Sequence, residues 1–149
     1  MPPIQHSDAA YADDVETRKS SEGYLFKLFG GSIDWKARKQ QTVTTSTTEA
    51  EFLSLQRAAK ELQAWFHLFN AIKFDTEQAE NMLECDNKQT VRLVTSENPV
   101  IKTNIRHIHV SGLWTRQEQQ RDNLNIHGSS DVTGPEAGHV CDGIWGIAG

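Results

Sequence analysis

The sequence predicts one α/β domain in which helices cover a mixed β-sheet, and three observations support this. The chain has 149 residues, a length that suits one domain with a sizeable core. Its first part contains short segments with the pattern of strands, and a long amphipathic helix follows them. Later strand-like segments then alternate with shorter helices. A meander of strands followed by helix-linked strands is typical of a mixed sheet covered by helices.

The first three strands are predicted to form an antiparallel meander. A short strand is expected over residues 4–10, after two prolines that confine its start. Residues 23–29 are rich in aromatic and aliphatic side chains, and the pair Gly30-Gly31 after them predicts a tight turn. Residues 32–36 alternate between polar and apolar, as a half-buried strand does. The second and third strands are therefore expected to pair as a hairpin.

The clearest helix is expected to begin near Ser46 and to end at about Ile72. Apolar residues recur along it at alternating spacings of three and four, which places them on one face. They are Phe52, Leu55, Ala59, Leu62, Phe66 and Phe69. Ser46 is followed three positions later by Glu49, a capping-box pattern that marks the start of a helix.

The second half of the chain is expected to add two strands and two helices. A short strand over 81–86 ends in an acid, and a short helix follows it over 87–95. A second amphipathic helix is predicted over 102–120, and its apolar residues include Ile105. A last strand is predicted over 124–126.

The end of the chain differs in composition from the rest. Residues 128–149 hold most of the chain's ten glycines, and glycine-rich segments rarely form regular elements. We therefore expect the folded domain to occupy residues 1–127 and a divergent, glycine-rich tail to occupy residues 128–149.

Composition excludes several classes of protein. The hydrophobic fraction is 37% and the charged fraction 23%, which disfavours wholesale disorder, and no segment approaches the ~20 apolar residues of a membrane span. Cys85 and Cys141 are too few for a disulfide scaffold or a four-ligand zinc site. The chain is therefore expected to be soluble and intracellular. Its net charge of −5 argues against nucleic acid binding over the whole surface but leaves room for a local basic face.

Three acids fall where the predicted elements meet. Asp8 lies near the end of the first strand, Glu49 in the first turn of the long helix, and Asp86 at the end of the fourth strand. If the first and fourth strands are neighbours, these acids converge, and such a cluster suits Mg²⁺ or Mn²⁺. Two ions about 3.5–4 Å apart can activate water and stabilise the leaving oxygen of a phosphodiester. The alternatives are that Glu49 only caps its helix and that Asp86 belongs to a turn.

Short motifs around these acids occur in an order that a known family shares. They are Ser7-Asp8-Ala9, Arg18-Lys19-Ser20-Ser21, Ser46-Thr47-Thr48-Glu49-Ala50-Glu51, Cys85-Asp86-Asn87 and Leu113-Trp114-Thr115. Over residues 5–127 the sequence resembles the ribonuclease H domain of the Pol polyproteins of copia-type (Pseudoviridae) retrotransposons.

The resemblance implies both a fold and a reaction. The fold is RNase H-like, a five-stranded mixed sheet with the first three strands antiparallel and helices at its faces. The reaction is cleavage of the RNA strand of an RNA–DNA hybrid by two ions of Mg²⁺ or Mn²⁺. The acids that match the family's catalytic and metal-binding positions are Asp8, Glu49 and Asp86.

A fourth acid of the family has no clear match. The nearest candidate for this catalytic and metal-binding position is Asp142, and Asp131 is a second candidate. Gly143, Gly146 and Gly149 make a poor helix, so the family's final helix is expected to be missing or altered.

The resemblance also implies partners and a location. The partners are an RNA–DNA hybrid and the reverse transcriptase polymerase domain of the same polyprotein. Binding to a membrane is not expected. The location is either virus-like particles in the cytoplasm or the nucleus. An alternative is a catalytically impaired or domesticated module that binds nucleic acid or a protein partner.

Basic side chains are concentrated in two regions of the sequence. The residues expected to contact nucleic acid phosphates are Lys36, Arg38, Lys39, Lys102, Arg106 and Arg116. The alternative for each of them is a solvated strand end or helix face. His107 and His109 adjoin the second region, where they either assist proton transfer or have a structural role.

Overall fold

A computed structural model describes the backbone of residues 4–10, 16, 18–44, 46–75, 82–96, 109–121 and 124–128, and their side chains except those of 4–10 and 109–112. Within these residues the chain order is β1 (Ile4–Ala10), β2 (Ser21–Leu28), β3 (Gly31–Lys39), α1 (Thr47–Ala71), β4 (Met82–Cys85), α2 (Lys88–Thr95), α3 (His109–Gln120) and β5 (Asn125–Gly128). The predicted α/β class is confirmed.

The strands form one mixed sheet of five, in the order β3-β2-β1-β4-β5. β1 lies at the centre, antiparallel to β2 and parallel to β4. β2 pairs with β3 antiparallel, and β4 pairs with β5 parallel. Because β1 and β4 run in the same direction, their carboxyl ends lie side by side. Open α/β sheets bind their ligands at this end of the strands.

The hairpin between β2 and β3 closes through a two-residue loop. Leu28 pairs with Gly31, and the loop residues Phe29 and Gly30 have φ angles of 52° and 80°. Two positive φ angles define a type I′ turn, whose twist matches that of paired strands. The turn therefore lies one residue earlier than predicted, because Gly31 belongs to β3.

Helix α1 packs across the sheet and supplies much of the core. Four of its six predicted core positions are buried, namely Phe52, Leu55, Ala59 and Leu62. They form one cluster with apolar side chains of three strands, namely Phe26, Leu83 and Ile126. The last two predicted positions, Phe66 and Phe69, are half-buried and pack edge-on with ring centroids 6.4 Å apart.

Polar contacts connect α3 to the other two helices. Arg116 Nη2 donates to the carbonyl oxygen of Ser96, just after α2, at 2.6 Å. Gln63 Nε2 of α1 donates to Glu118 Oε2 at 2.8 Å. The predicted helix over 102–120 matches α3 from His109 onward, and its earlier part lies outside the described residues.

The predicted tail over 128–149 lies outside the described residues except for Gly128, which ends β5. Among the helices that the structure describes, none combines the length and the apolar character that crossing a membrane requires.

Candidate metal centre

Buried hydrogen bonds hold the segment before α1. The backbone N–H of Gln40 donates to Ser20 O at 2.7 Å, and Gln40 Nε2 donates to Ala50 O at 2.9 Å. The hydroxyl oxygens of Ser20 and Thr44 lie 3.0 Å apart and share a hydrogen bond. Because these bonds connect the adjoining ends of β2 and β3 to the first turn of α1, they set the position of that helix over the sheet.

The first two turns of α1 present two acids in different surroundings. Ser46 Oγ caps the helix by accepting from the backbone N–H of Glu49 at 3.1 Å, as the sequence predicts. Each residue turns an α-helix by about 100°, so Glu49 and Glu51 leave the helix in nearly opposite directions. Glu51 is only 5% exposed, whereas Glu49 is half-buried. Helix α1 therefore turns Glu51 inward.

Asp86 lies between the end of β4 and the start of α2. Asn87 caps α2, since its Oδ1 accepts from the backbone N–H groups of Gln89 and Thr90, both at 3.0 Å. Thr48 Oγ1 of α1 donates to Gln89 Oε1 at 2.8 Å. Asp86 itself is exposed. The strand end and the capped helix thus hold the backbone on both sides of this carboxylate.

These elements bring three potential metal ligands together. A carboxylate oxygen of Glu51, the Sγ of Cys85 and a carboxylate oxygen of Asp86 all lie within 4.8 Å of one another. Glu51 and Cys85 are buried and Asp86 is exposed, so the group has a closed inner side and an open outer side. Within the residues that the structure describes, this is the group of three such side chains that lies close enough to hold a metal ion.

Asp8 is placed beside this group by the pairing of β1 with β4. Ser7 is level with Cys85 in the parallel register, and Asp8 and Asp86 each come one residue later. Asp8 therefore directly follows the last residue of β1 that pairs with β4. On its other side Asp8 pairs with Gly23 of β2, a residue with no side chain.

Next to Asp86 the structure places a helix acid that sequence reasoning did not select. Glu49 is not a member of the three-residue group, and Glu51 is. The capping-box pattern drew attention to Glu49, while Glu51 stands directly before the core residue Phe52. The signal that could have selected Glu51 is its place next to the apolar face of the helix, because a carboxylate is rarely buried without a partner.

Several predicted residues lie outside the described part of the chain. Both candidates for the fourth acid, Asp142 and Asp131, are among them, as are Lys102, Arg106 and His107. His109 begins α3, where the structure describes the backbone only.

The predicted basic residues that the structure describes differ in their surroundings. Lys36, Arg38 and Lys39 are exposed on β3, which forms one edge of the sheet. Arg116 is half-buried and donates to the Ser96 carbonyl, so it also has a structural role between α2 and α3.

Lys36 and Arg38 line a small groove between β3 and α1. Its cavity volume is about 90 Å³, and Arg57 and Lys60 of α1 also line it. The carboxylate of Glu22, only 5% exposed, pairs there with Arg38 Nε at 2.9 Å and with Arg57 Nη1 at 2.8 Å. The two arginines thus neutralise a buried acid and leave the groove with an excess of positive charge.

The donor set of the three-residue group fits a divalent cation. Carboxylate oxygens are the ligands that Mg²⁺ and Mn²⁺ prefer, and Mg²⁺ is usually held by one or two carboxylates plus waters and substrate phosphates. Glu51 and Asp86 supply two carboxylates, and the exposure of Asp86 leaves an approach for a phosphodiester.

Comparison with known proteins relates the chain to a family. No protein-family model matches the chain. The chain is 34% identical over 121 residues to the "Retrovirus-related Pol polyprotein from transposon TNT 1-94" of Nicotiana tabacum, a match that covers 81% of this chain and 9% of the relative. It is 30% identical over 121 residues to the corresponding polyprotein from transposon RE2 of Arabidopsis thaliana, covering 81% of this chain and 8% of the relative. The chain thus spans less than a tenth of the length of these relatives.

Solved structures show the same fold. LC11-RNase H1, isolated from compost, superposes with a TM-score of 0.61 at 15% identity, covering 85% of this chain and 83% of that one. The same protein in complex with an RNA/DNA hybrid gives a TM-score of 0.59 at 16% identity, with the same coverage. The protease-reverse transcriptase of prototype foamy virus gives 0.60 at 11% identity, covering 96% of this chain and 19% of that one.

The chain has the ribonuclease H fold. By sequence it belongs with the copia-type, retrovirus-related Pol polyproteins.

Proposed function

We propose that this chain is a metal-dependent ribonuclease H, which hydrolyses the RNA strand of RNA–DNA hybrids during retrotransposon reverse transcription. The observation that carries the proposal is the approach of Glu51 and Asp86 to within 4.8 Å, beside β1, where Asp8 follows the last residue that pairs with β4. The fold that LC11-RNase H1 shares supports it, because that protein forms a complex with an RNA/DNA hybrid.

The three acids take different parts in this proposal. Glu51 supplies a buried carboxylate from α1, and Asp86 supplies an exposed carboxylate at the side where a phosphodiester enters. Asp8 is proposed to contribute from the neighbouring strand β1. When bound, two Mg²⁺ or Mn²⁺ ions would activate a water and stabilise the leaving oxygen of the phosphodiester. Asp142, with Asp131 as the alternative, is proposed to complete the site.

The substrate is proposed to lie across basic side chains through contacts with its phosphates. Lys36, Arg38 and Lys39 are exposed on β3, and Lys102, Arg106 and Arg116 form the second proposed region. Such contacts neutralise phosphates without reading sequence, and an RNA–DNA hybrid is recognised by its shape and its 2′-hydroxyls.

The proposed context is that of a Pol polyprotein. We propose the reverse transcriptase polymerase domain of the same polyprotein as the protein partner, and virus-like particles in the cytoplasm, or the nucleus, as the location.

The direct test is cleavage of a labelled RNA–DNA hybrid by the full chain with Mg²⁺ or Mn²⁺. Glu51→Gln and Asp86→Asn are expected to lower the rate by about a hundredfold or more, because even outer-shell partners of metal ligands are worth about 10- to 100-fold. Glu49→Gln is the matched control near the start of the same helix, and its rate is expected to stay near that of the wild type.

Three outcomes would contradict the proposal. They are no cleavage by the wild type with either metal, equal cleavage by the wild type and Asp86→Asn, and a greater loss from Glu49→Gln than from Glu51→Gln. Salt-sensitive binding of the hybrid without any cleavage would instead support the alternative of a catalytically impaired binding module.

A further inference from the structure

The third member of the metal-ligand group is a thiol. Cys85 is the last residue of β4, is 1% exposed and is present as a thiol. Its Sγ lies within 4.8 Å of a carboxylate oxygen of Glu51 and of a carboxylate oxygen of Asp86. The proposed Mg²⁺ or Mn²⁺ chemistry has no use for this sulfur, because both ions prefer oxygen ligands.

The same three atoms form a different kind of site for a softer metal. Zn²⁺ binds thiolate sulfur at about 2.3 Å and carboxylate oxygen at about 2.0–2.2 Å. At the tetrahedral angle that Zn²⁺ prefers, two ligands at such distances around one ion lie about 3.6 Å apart. Atoms that already lie within 4.8 Å of one another therefore close on one ion when they approach each other by about 1 Å.

We propose that Cys85 gives the centre a second, thiophilic mode of metal binding. In this mode Zn²⁺ or Cd²⁺ is held by Cys85 Sγ with the carboxylates of Glu51 and Asp86 and excludes the hard cation that they otherwise bind. The thiol releases its proton to solvent as the metal–sulfur bond forms. Metal binding in this mode does not depend on the proposed function. Only its consequence, the inhibition of cleavage by traces of a thiophilic metal, rests on that function.

The burial of Cys85 makes this mode depend on the fold. The thiol belongs to the core cluster, so a large thiol reagent has little access to it, whereas Asp86 is exposed on the open side of the group. The thiophilic mode is therefore expected in the folded protein at low metal concentration.

The test is titration of the folded full-length chain with Cd²⁺ while the ultraviolet charge-transfer band of a cadmium–thiolate bond is recorded. The wild type and Cys141→Ser, which removes the other cysteine of the sequence, are expected to develop the band with one equivalent of metal. Cys85→Ser is expected to lack it. Glu51→Gln is expected to weaken cadmium binding by roughly tenfold or more, which a lone thiol would not explain.

A second measurement connects the mode to cleavage. Zn²⁺ is titrated against a fixed concentration of Mg²⁺ in the hybrid-cleavage assay, and Cys85→Ser is expected to require roughly tenfold or more Zn²⁺ for half inhibition. Circular dichroism of each variant shows whether it is folded. If Cys85→Ser does not fold, Cys85→Ala replaces it in both measurements.

The possible results separate the two proposals. A band that persists in Cys85→Ser, or no band in any variant, overturns the thiophilic mode whether or not the hybrid is cleaved. A Cys85-dependent band in a chain that never cleaves the hybrid supports the thiophilic mode and overturns the proposed function.

Discussion

A carboxylate oxygen of Glu51 and one of Asp86 lie within 4.8 Å of each other, although one residue belongs to the first turns of α1 and the other follows β4. In the described part of the chain, neither a disulfide nor strand pairing joins these two segments. Their approach depends on the hydrogen bonds that anchor α1 and on the cap that begins α2. Changes at these supports are therefore expected to act on the site from a distance.

Replacing Gln40 with alanine is expected to lower the free energy of unfolding by about 1–3 kcal/mol, because the buried Ala50 carbonyl loses its side-chain donor. Hybrid cleavage by the folded fraction is expected to fall as well, since Ala50 precedes Glu51. Urea unfolding and cleavage rates check both effects. The exposed neighbour Gln41 provides the control, and Gln41→Ala is expected to stay within about 0.5 kcal/mol of the wild type. Equal effects of the two variants would contradict the role assigned to Gln40.

Asn87→Ala is expected to cost about 1 kcal/mol of stability, because two backbone N–H groups of α2 lose their acceptor. Asn87→Ser keeps a side chain that caps helices well and is expected to restore most of this loss. Thermal unfolding of the two variants measures the difference. A serine variant as unstable as the alanine variant would show that capping is not what Asn87 contributes.

The stability of the protein is expected to fall above pH 10. Burial, and after it the charge of Asp34, raises the pKa of Tyr24, whose hydroxyl donates to Asp34 Oδ2 at 3.2 Å. The folded protein thus holds this proton more tightly than the unfolded chain. The resulting stabilisation is complete below the unfolded pKa of about 10 and is lost as pH rises beyond it.

Urea unfolding from neutral to alkaline pH measures this loss. Tyr24→Phe is expected to flatten the alkaline fall, whereas Tyr11→Phe, at the other tyrosine of the sequence, is expected to leave it unchanged. The assignment to Tyr24 fails if the two variants give the same alkaline slope.

Leu55→Ala is expected to destabilise the domain by about 2–5 kcal/mol, because Leu55 is fully buried and its removal leaves a cavity in the core. Leu68→Ala, on the same helix but 48% exposed, is expected to cost far less. Chemical denaturation compares the two directly. A loss at Leu68 that equals the loss at Leu55 would mean that α1 packs differently from the structure.

Much of the fold follows from local sequence patterns. The alternation of polar and apolar residues around Trp35 depends only on the geometry of a strand. The spacing of three and four residues from Phe52 to Leu62 depends only on the geometry of a helix. The boundaries of β1 and the end of α1 were accordingly predicted to within a residue or two. The hairpin turn was displaced by one residue, because Phe29 adopts a positive φ that its residue type does not suggest.

The sequence by itself determined the α/β class, the order of the elements and the likeness to copia-type ribonuclease H domains. It also led to the prediction that acids at strand ends and at a helix start form the site. Only the tertiary structure decided that Glu51 and Cys85 lie together with Asp86 in one group of possible metal ligands, to which Glu49 does not belong. A helix pattern defines which residues share a face, but the rotation of that helix over the sheet depends on long-range packing. Here the Gln40–Ala50 hydrogen bond and the burial of Phe52 and Leu55 set that rotation.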